Sequence, residues 1–172
     1  LAAGIAALLL FPLSTCGDVS RQSEISQEIQ LDLSGGTQVS DYDTHSGNGD
    51  GISCAALIFR NIRSRRSWKL PGMAVVSLST TAKALVYGIS DENSSIGPYL
   101  TDGDGVPLVP VIQNGYYLLV DRQQDSQKPL LNRYSLNFTL ALYDTDSDLL
   151  MFAEWTRDVG SPSVKKRRPA LT

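Results

Sequence analysis

Residues 133–157 read RYSLNFTLALYDTDSDLLMFAEWTR, and this stretch decides the fold class. In its first half apolar residues alternate with polar or small ones, so the two sets lie on opposite faces of a β-strand. The segment 144–148 (DTDSD) carries turn-forming residues, and an apolar run resumes from Leu149 to Trp155. The stretch therefore predicts a β-hairpin with a five-residue loop. Its apolar face needs a second layer of structure to cover it.

Short segments with strand character occupy much of the chain before this hairpin. Asn114-Gly115 separates the last two of them and is a strong hairpin signal. Pro107 and Pro110 place the strand over 106–112 on an edge or at a bulge, because proline cannot donate to a ladder. The predicted strands cover residues 28–33, 52–62, 73–80, 84–89, 106–112 and 116–121. Since helical periodicity is scarce, we predict an all-β fold, an antiparallel immunoglobulin-like β-sandwich of about eight short strands over residues 28–158.

The composition suits one exported domain. Charged residues make up 19% of the 172 residues, below the roughly 25% of typical globular chains, and Gly, Ser and Thr are plentiful. The formal net charge of −3 argues against general nucleic-acid binding, which depends on a basic surface. We therefore expect protein partners and no nucleic acid.

The N-terminal segment predicts export. Residues 1–13 (LAAGIAALLLFPL) carry no charge and match the apolar core of a secretory signal, although a buried N-terminal helix is an alternative. We predict an export or lipoprotein signal over residues 1–17 and a polar tether over 18–27. A disordered basic tail is expected over 159–172. The expected location is the bacterial cell surface or the outer membrane and periplasm.

Cys16 has two alternative roles. Leu13-Ser14-Thr15-Cys16 resembles a bacterial lipobox, in which the cysteine carries a lipid that anchors the protein to the membrane. Alternatively, Cys16 forms a disulfide with Cys54, which would close a loop worth about 4 kcal/mol on the chain-entropy scale. Lipidation is slightly favoured, because a cysteine so close to a signal is seldom structural.

No motif in the sequence predicts catalysis, a cofactor or a metal. The only histidine, His45, lies in a polar loop, and Gly-x-Ser-x-Gly does not occur. The segment 41–45 begins like a calcium loop but lacks the glycine at position six and the glutamate at position twelve. The basic residues around Trp68, over 60–69, could bind an anion but are more typical of a solvated loop. We therefore predict a protein that is not an enzyme.

Residues 134–143 (YSLNFTLALY), followed by a loop and Phe152-Ala153, resemble the penultimate region of chaperone–usher fimbrial subunits. The order of an export signal, an early cysteine, a second cysteine and successive short strands is also similar to that family. The resemblance implies an incomplete immunoglobulin-like sandwich that a neighbouring subunit completes by strand pairing. The candidate partner-strand and edge residues are Val106, Leu108, Val109, Val111, Phe138, Leu140, Phe152 and Trp155.

The expected function is that of a non-enzymatic, exported surface protein, a structural or adhesive subunit of a fimbria-like assembly. The alternative is a cell-envelope lipoprotein, anchored through Cys16, that acts as a binding or assembly module.

Overall fold

The computed structural model describes residues 20–47, 49–60, 74–75, 78–123 and 127–157. Two helices, eight strands and one 3-10 turn follow one another along these residues. In chain order they are α1 (Arg21–Glu28), β1 (Thr37–Asp43), β2 (Gly51–Ile58), β3 (Ala74–Val75), α2 (Thr80–Tyr87), β4 (Ile89–Ser90), β5 (Ser95–Ile96), β6 (Gly115–Asp121), the 3-10 turn (Leu130–Asn132), β7 (Leu136–Asp144) and β8 (Leu149–Arg157).

Six of the strands form one antiparallel sheet in the order β1-β2-β8-β7-β6-β3. The remaining two, β4 and β5, form a small hairpin. The predicted hairpin is present as β7 and β8 at the centre of the large sheet. Its loop has four residues instead of five, because Asp144 still pairs with Leu149. The prediction of a mostly antiparallel β fold is confirmed at this level.

The chain covers both faces of the large sheet with its own helices and loops. On one face, Ile25 and Ile29 of the α1 region pack with Ala55, Phe152 and their neighbours. On the opposite face, Leu85 and Val86 of α2 pack with a core drawn from three strands and two connecting segments. That core contains Cys54, Ala56, Leu100, Val109, Ile112, Leu130, Leu136, Phe138, Leu140, Leu142, Met151 and Ala153. Among the described residues, a second sheet packed face to face on the first is not seen, so the immunoglobulin-like topology is not shown.

The α1 helix lies where the sequence predicted a polar tether and the start of a strand. Ser20 caps it, since its hydroxyl accepts a hydrogen bond from the Ser23 backbone N–H at 3.3 Å. Ile25 and Ile29 are four residues apart and therefore share one face, which is buried on the sheet. The segment 28–33 is not a strand; its apolar residues continue the same buried patch in irregular backbone.

The α2 helix replaces the strand predicted over 84–89. The Ser79 hydroxyl accepts a hydrogen bond from the Ala82 N–H at 3.2 Å, and Gly88 ends the helix at a φ of 75°. Almost every apolar residue of α2 is buried, so the run of apolar residues that suggested a short strand belongs to a buried helix. Neither described helix is long and apolar enough to cross a membrane.

Residues 106–112 do not form the predicted proline-bearing strand. Only Pro107 makes a bridge, to Thr101, and the segment crosses over the core instead. Asn114-Gly115 is not a two-residue hairpin turn, because β6 pairs with β7 from Gly115 onward. A Cβ atom on Gly115 would lie 1.9 Å from the Tyr143 carbonyl oxygen. The glycine is therefore needed for close approach between strands and not for a turn.

Candidate functional site

A row of polar side chains crosses the sheet under α1. Ser53 of β2 pairs with Glu154 of β8, and Glu154 pairs in turn with Thr139 of β7. Because paired residues in an antiparallel sheet point to the same face, the three side chains stand side by side. The next row along the strands is apolar and contains Ala55, Phe152 and Ala141. The face under α1 is therefore divided into an apolar half and a polar half.

Two arginines bind Glu154 from opposite sides. The Arg21 Nη2 atom lies 3.0 Å from Glu154 Oε2, and the Arg122 Nη1 atom lies 2.8 Å from Glu154 Oε1. Burial acts to lower the pKa of Arg21, but hydrogen bonding and charge attraction to Glu154 outweigh it and raise that pKa above its ordinary value. Arg21 also donates to the Ser53 hydroxyl, and its guanidinium lies 5.5 Å from the centre of the Phe152 ring. The charges of this group are thus already paired within the chain.

Glu28 closes the group at the other end of α1. Thr139 donates to Glu28 Oε1 at 2.9 Å, and Arg122 Nη1 lies 4.0 Å from the same oxygen. The helix is therefore joined to the sheet by polar contacts at both of its ends. We call Arg21, Glu28, Ser53, Arg122, Thr139 and Glu154 the α1 polar cluster. Its arrangement fits a docking contact between helix and sheet, because it leaves no unpaired base beside a nucleophile.

Three buried polar atoms near the α1 polar cluster have no hydrogen-bond partner in the described part of the chain. They are Arg122 Nε, Gln123 Oε1 and Asn137 Oδ1. Arg122 and Asn137 are neighbours, since the Arg122 N–H donates to the Asn137 carbonyl at 2.9 Å. Buried polar atoms without hydrogen-bond partners destabilise a fold. The hydrogen bonding of buried polar groups is therefore less complete at this end of the sheet than at its centre.

The predicted partner-strand residues are not brought together at an edge. Phe138, Leu140 and Phe152 are fully buried in β7 and β8, and each of these strands is paired on both sides. Trp155 is half-buried and packs edge-on against Tyr99, with ring centres 5.6 Å apart. These positions contribute core packing, not an open strand.

The four candidates from residues 106–112 separate into two kinds. Val109 is buried in the core and Leu108 is partly buried against it. Val106 and Val111 are 56% and 75% exposed, but they lie in irregular backbone and so offer no strand for pairing. The segment does not form the predicted strand because two of its seven residues are proline, and each proline lacks the backbone N–H that a β-ladder needs.

Cys54 is buried on the α2 face of β2 and forms no disulfide with another described residue. Burial raises its pKa to about 12, so the thiol is neutral and unreactive at physiological pH. Cys16 lies outside the described residues, as do the basic residues 61–69, the signal predicted over 1–17 and the tail predicted over 159–172. The choice between lipidation and a disulfide at Cys16 stays a prediction.

Acidic and histidine side chains in the described ranges do not form a cluster of three that could hold a metal ion. His45 lies 2.7 Å from Asp43 across a tight turn after β1. In the loop between β7 and β8, Asp144 accepts hydrogen bonds from the Asp146 N–H and the Ser147 hydroxyl. These carboxylates therefore stabilise turns.

Two clefts open beside α1 and at the end of β8. The first has a volume of about 300 Å³ and is lined by α1 and residues 32–34. The second, of about 270 Å³, lies between the loop after β1 and the end of β8, where Asp50 and Trp155 line it. Neither cleft contains a residue of the α1 polar cluster, so cluster and clefts do not combine into one site.

Strand β1 forms one edge of the large sheet. All of its residues except Tyr42 are exposed, and its two carboxylates, Asp41 and Asp43, lie opposite Ala55 and Ser53 of β2. Sequence reasoning missed this strand, because residues 35–51 read as a loop rich in Gly, Ser, Asp and Thr. The alternation of Val39, Asp41 and Asp43 with Ser40 and Tyr42 was too weakly apolar to signal a strand.

Comparison with known proteins found no matching family model, no similar curated protein and no similar solved structure.

Proposed function

We propose that this protein is an exported envelope lipoprotein, tethered through Cys16, whose self-contained β domain acts as a binding or assembly module. One observation carries the proposal: the chain's own helices and loops cover both faces of the large sheet. A fold that buries its own apolar strands can stay folded without a partner subunit. Its partners would then bind at the surface.

A binding role is favoured over catalysis by the state of the polar groups. Glu154 and Glu28, the carboxylates of the α1 polar cluster, are engaged by arginine and threonine side chains of the same chain. Acid–base chemistry needs a group that is free to exchange a proton at working pH. Paired charges at the base of a helix instead hold that helix on the sheet.

The fimbria-like subunit is the second candidate, and the open edge at β1 favours it. A structural or adhesive subunit of this type would need an apolar groove that a neighbour's strand fills. It would also need the immunoglobulin-like sandwich that the sequence predicts. Phe138, Leu140 and Phe152 would have to be accessible at that groove, whereas they are buried by the chain itself.

Thermal unfolding separates the two candidates. The chain from residue 18 onward keeps every described element, and we expect a sharp melt whose midpoint does not depend on protein concentration. An alternating apolar peptide, used as a model donor strand, should leave the midpoint unchanged, because the described residues leave no apolar groove open between their strands. A self-associating protein whose melting temperature rises by about 10 °C or more with this peptide would favour the fimbrial subunit.

Intact mass tests the anchor. Protein purified from membranes should carry the added mass of a diacylglyceryl and an acyl group, and Cys16→Ser should abolish both this mass and membrane association. Cys54 supplies the internal control: in the unfolded, unreduced protein it should react with a thiol reagent. An unlipidated protein in which neither cysteine reacts would instead indicate the disulfide.

A further inference from the structure

The outer side of β1 is an open strand edge. In the sheet order, β1 pairs with β2 on one side only, and no other strand of the described residues lies beyond it. Such an edge presents a row of backbone N–H and C=O groups that an additional strand can pair with. Six of its seven residues are exposed, so side chains from the other described elements leave the approach open.

The side chains of β1 restrict what can pair there. The strand contains no lysine or proline, and its register shifts between Gln38 and Ser40. Asp41 and Asp43 bring two negative charges to the C-terminal half of the edge. In a parallel pairing in register, or an antiparallel one centred on Tyr42, a second copy of this chain would bring two more carboxylates to the same place, and like charges across strands are unfavourable. Self-pairing in these registers is therefore disfavoured.

The two carboxylates share one face of β1. Asp41 and Asp43 lie opposite Ala55 and Ser53, which face α1, while Tyr42 packs on the core of the opposite face. A strand added beside β1 would set alternate side chains next to these carboxylates. The side chains between them would lie next to Tyr42. This geometry selects an alternation of cationic residues with β-branched or aromatic ones.

The surroundings of this edge are acidic on the α1 side. Arg21 attracts Asp41 and Asp43 electrostatically, but its ion pairs are with Glu154 at 3.0 Å and with Glu24 at 3.3 Å. His45 contacts Asp43, and its backbone N–H donates to that carboxylate, which lowers the pKa of Asp43 and keeps it ionised. The described residues of α1 and β1 themselves carry four carboxylates, Glu24, Glu28, Asp41 and Asp43, and one guanidinium group, that of Arg21.

We propose that the open edge of β1 binds an extended, basic segment of a partner protein by strand addition, with alternate Lys or Arg side chains placed beside Asp41 and Asp43. This inference rests on the proposed function as a binding module and names the surface and the partner chemistry.

A labelled peptide in which lysine and valine alternate over seven residues is the direct probe. We expect saturable binding to the intact domain, measured by fluorescence anisotropy, that weakens as salt is raised. A peptide with glutamate in place of lysine should not bind. A scrambled peptide of the same composition, with its lysines together, should bind at least about tenfold more weakly. Equal binding of the scrambled peptide would overturn the proposal, because charge alone would then explain the affinity.

N-methylation of the peptide backbone tests strand addition itself. Alternate N–H groups of a strand point to the same edge, so two peptides methylated at odd or at even positions block opposite edges. We expect one of the two to lose binding and the other to keep it. Retention of binding by both, or loss by both, would contradict pairing through a single strand edge.

Substitution of the carboxylates locates the site. Asp41→Asn with Asp43→Asn keeps the side-chain size and should weaken the alternating peptide about tenfold, since two cross-strand charge pairs are lost. Glu92→Gln with Asp104→Asn is the matched control, because both residues are exposed and lie outside β1 and α1. An equal effect of the two double variants would overturn the assignment to β1. A sharp monomeric melt with no peptide binding would reject the β1 site while leaving the self-contained module intact.

Discussion

The two faces of the large sheet are built from alternate residues of the same strands, yet they differ in chemistry. The α2 face is apolar across its central rows, where Phe138, Leu140 and Leu142 meet Trp155, Ala153 and Met151. The α1 face changes from apolar to polar along the same strands, at the row of Ser53, Glu154 and Thr139. Helix α2 is thus held by apolar packing and by hydrogen bonds of Tyr87 and Leu85 to neighbouring segments, whereas α1 also makes ion pairs near its ends.

The comparison shows how a short helix with few apolar residues can dock on a sheet. Only Ile25 of α1 is buried, whereas α2 buries Ala82, Ala84, Leu85 and Val86. The ion pairs of Arg21 and Glu154 add specificity to the weaker apolar contact. They are partly open to water, with Glu154 18% exposed, so their desolvation is incomplete.

The largest expected effect comes from the apolar face. Phe138→Ala should lower the free energy of unfolding by about 3–5 kcal/mol, because it removes a fully buried aromatic ring from the centre of the sheet. Urea denaturation measures the change, and Leu140→Ala, at about 2–5 kcal/mol, serves if the first variant does not fold.

Tyr134→Ala is the control for this substitution. The sequence placed Tyr134 on the same apolar face, but its side chain is 87% exposed. Its loss should change stability by no more than about 0.5 kcal/mol. Similar losses for Tyr134 and Phe138 would contradict the burial difference between them.

A smaller effect is expected on the α1 face. Glu154→Gln should cost about 1–2 kcal/mol, since it leaves Arg21 and Arg122 without their shared carboxylate in a partly buried position. Glu24→Gln removes a carboxylate that is 52% exposed and should change stability by less than about 0.5 kcal/mol. Chemical denaturation of both variants measures these changes in the free energy of unfolding. If Glu154→Gln is neutral, the cluster does not hold α1 on the sheet.

The N-cap serines of the two helices allow a direct comparison of how much each cap stabilises the protein. Ser79→Ala removes the hydroxyl that accepts from Ala82 at the start of α2 and should cost about 1 kcal/mol. Ser20→Ala makes the same change at α1 and should cost about 0.5 kcal/mol, because that end of α1 is more exposed. The melting temperatures of the two variants show which substitution destabilises the protein more. A larger loss of stability for Ser20→Ala than for Ser79→Ala would contradict this expectation.

An effect similar in size to that of the helix caps concerns pH. Arg133 binds both Asp121 oxygens at 2.8 and 2.6 Å, and these hydrogen bonds lower the pKa of Asp121 below its ordinary value of 3.8. A lowered folded-state pKa adds stability that is present above about pH 4 and is lost as pH falls through the folded-state pKa. Asp121→Asn should therefore cost up to about 1 kcal/mol at pH 7 and progressively less in acid. A difference that stays constant from pH 7 down to pH 2 would contradict this linkage.

The sequence alone determined the central hairpin, strand β6 and the mostly antiparallel β character. In each case strict alternation or a long apolar run was strong enough to indicate a strand without tertiary information. It also predicted a strand over residues 52–62, and Cys54 in this segment is buried in β2. These features are local in the chain, because residues two apart specify the face on which a side chain lies.

Only the tertiary structure decided the helices, the open edge and the α1 polar cluster. Helices of eight residues are not stable alone in water, so packing on the sheet selects helix over strand for residues 21–28 and 80–87. Glu154 meets Ser53 and Thr139 through strand register, and Arg21 reaches it from a helix more than a hundred residues earlier. Strand order places β1 at the edge and β7 and β8 at the centre. Pairing between distant segments leaves no signal in local periodicity, which is why the sequence indicated strands but not their neighbours.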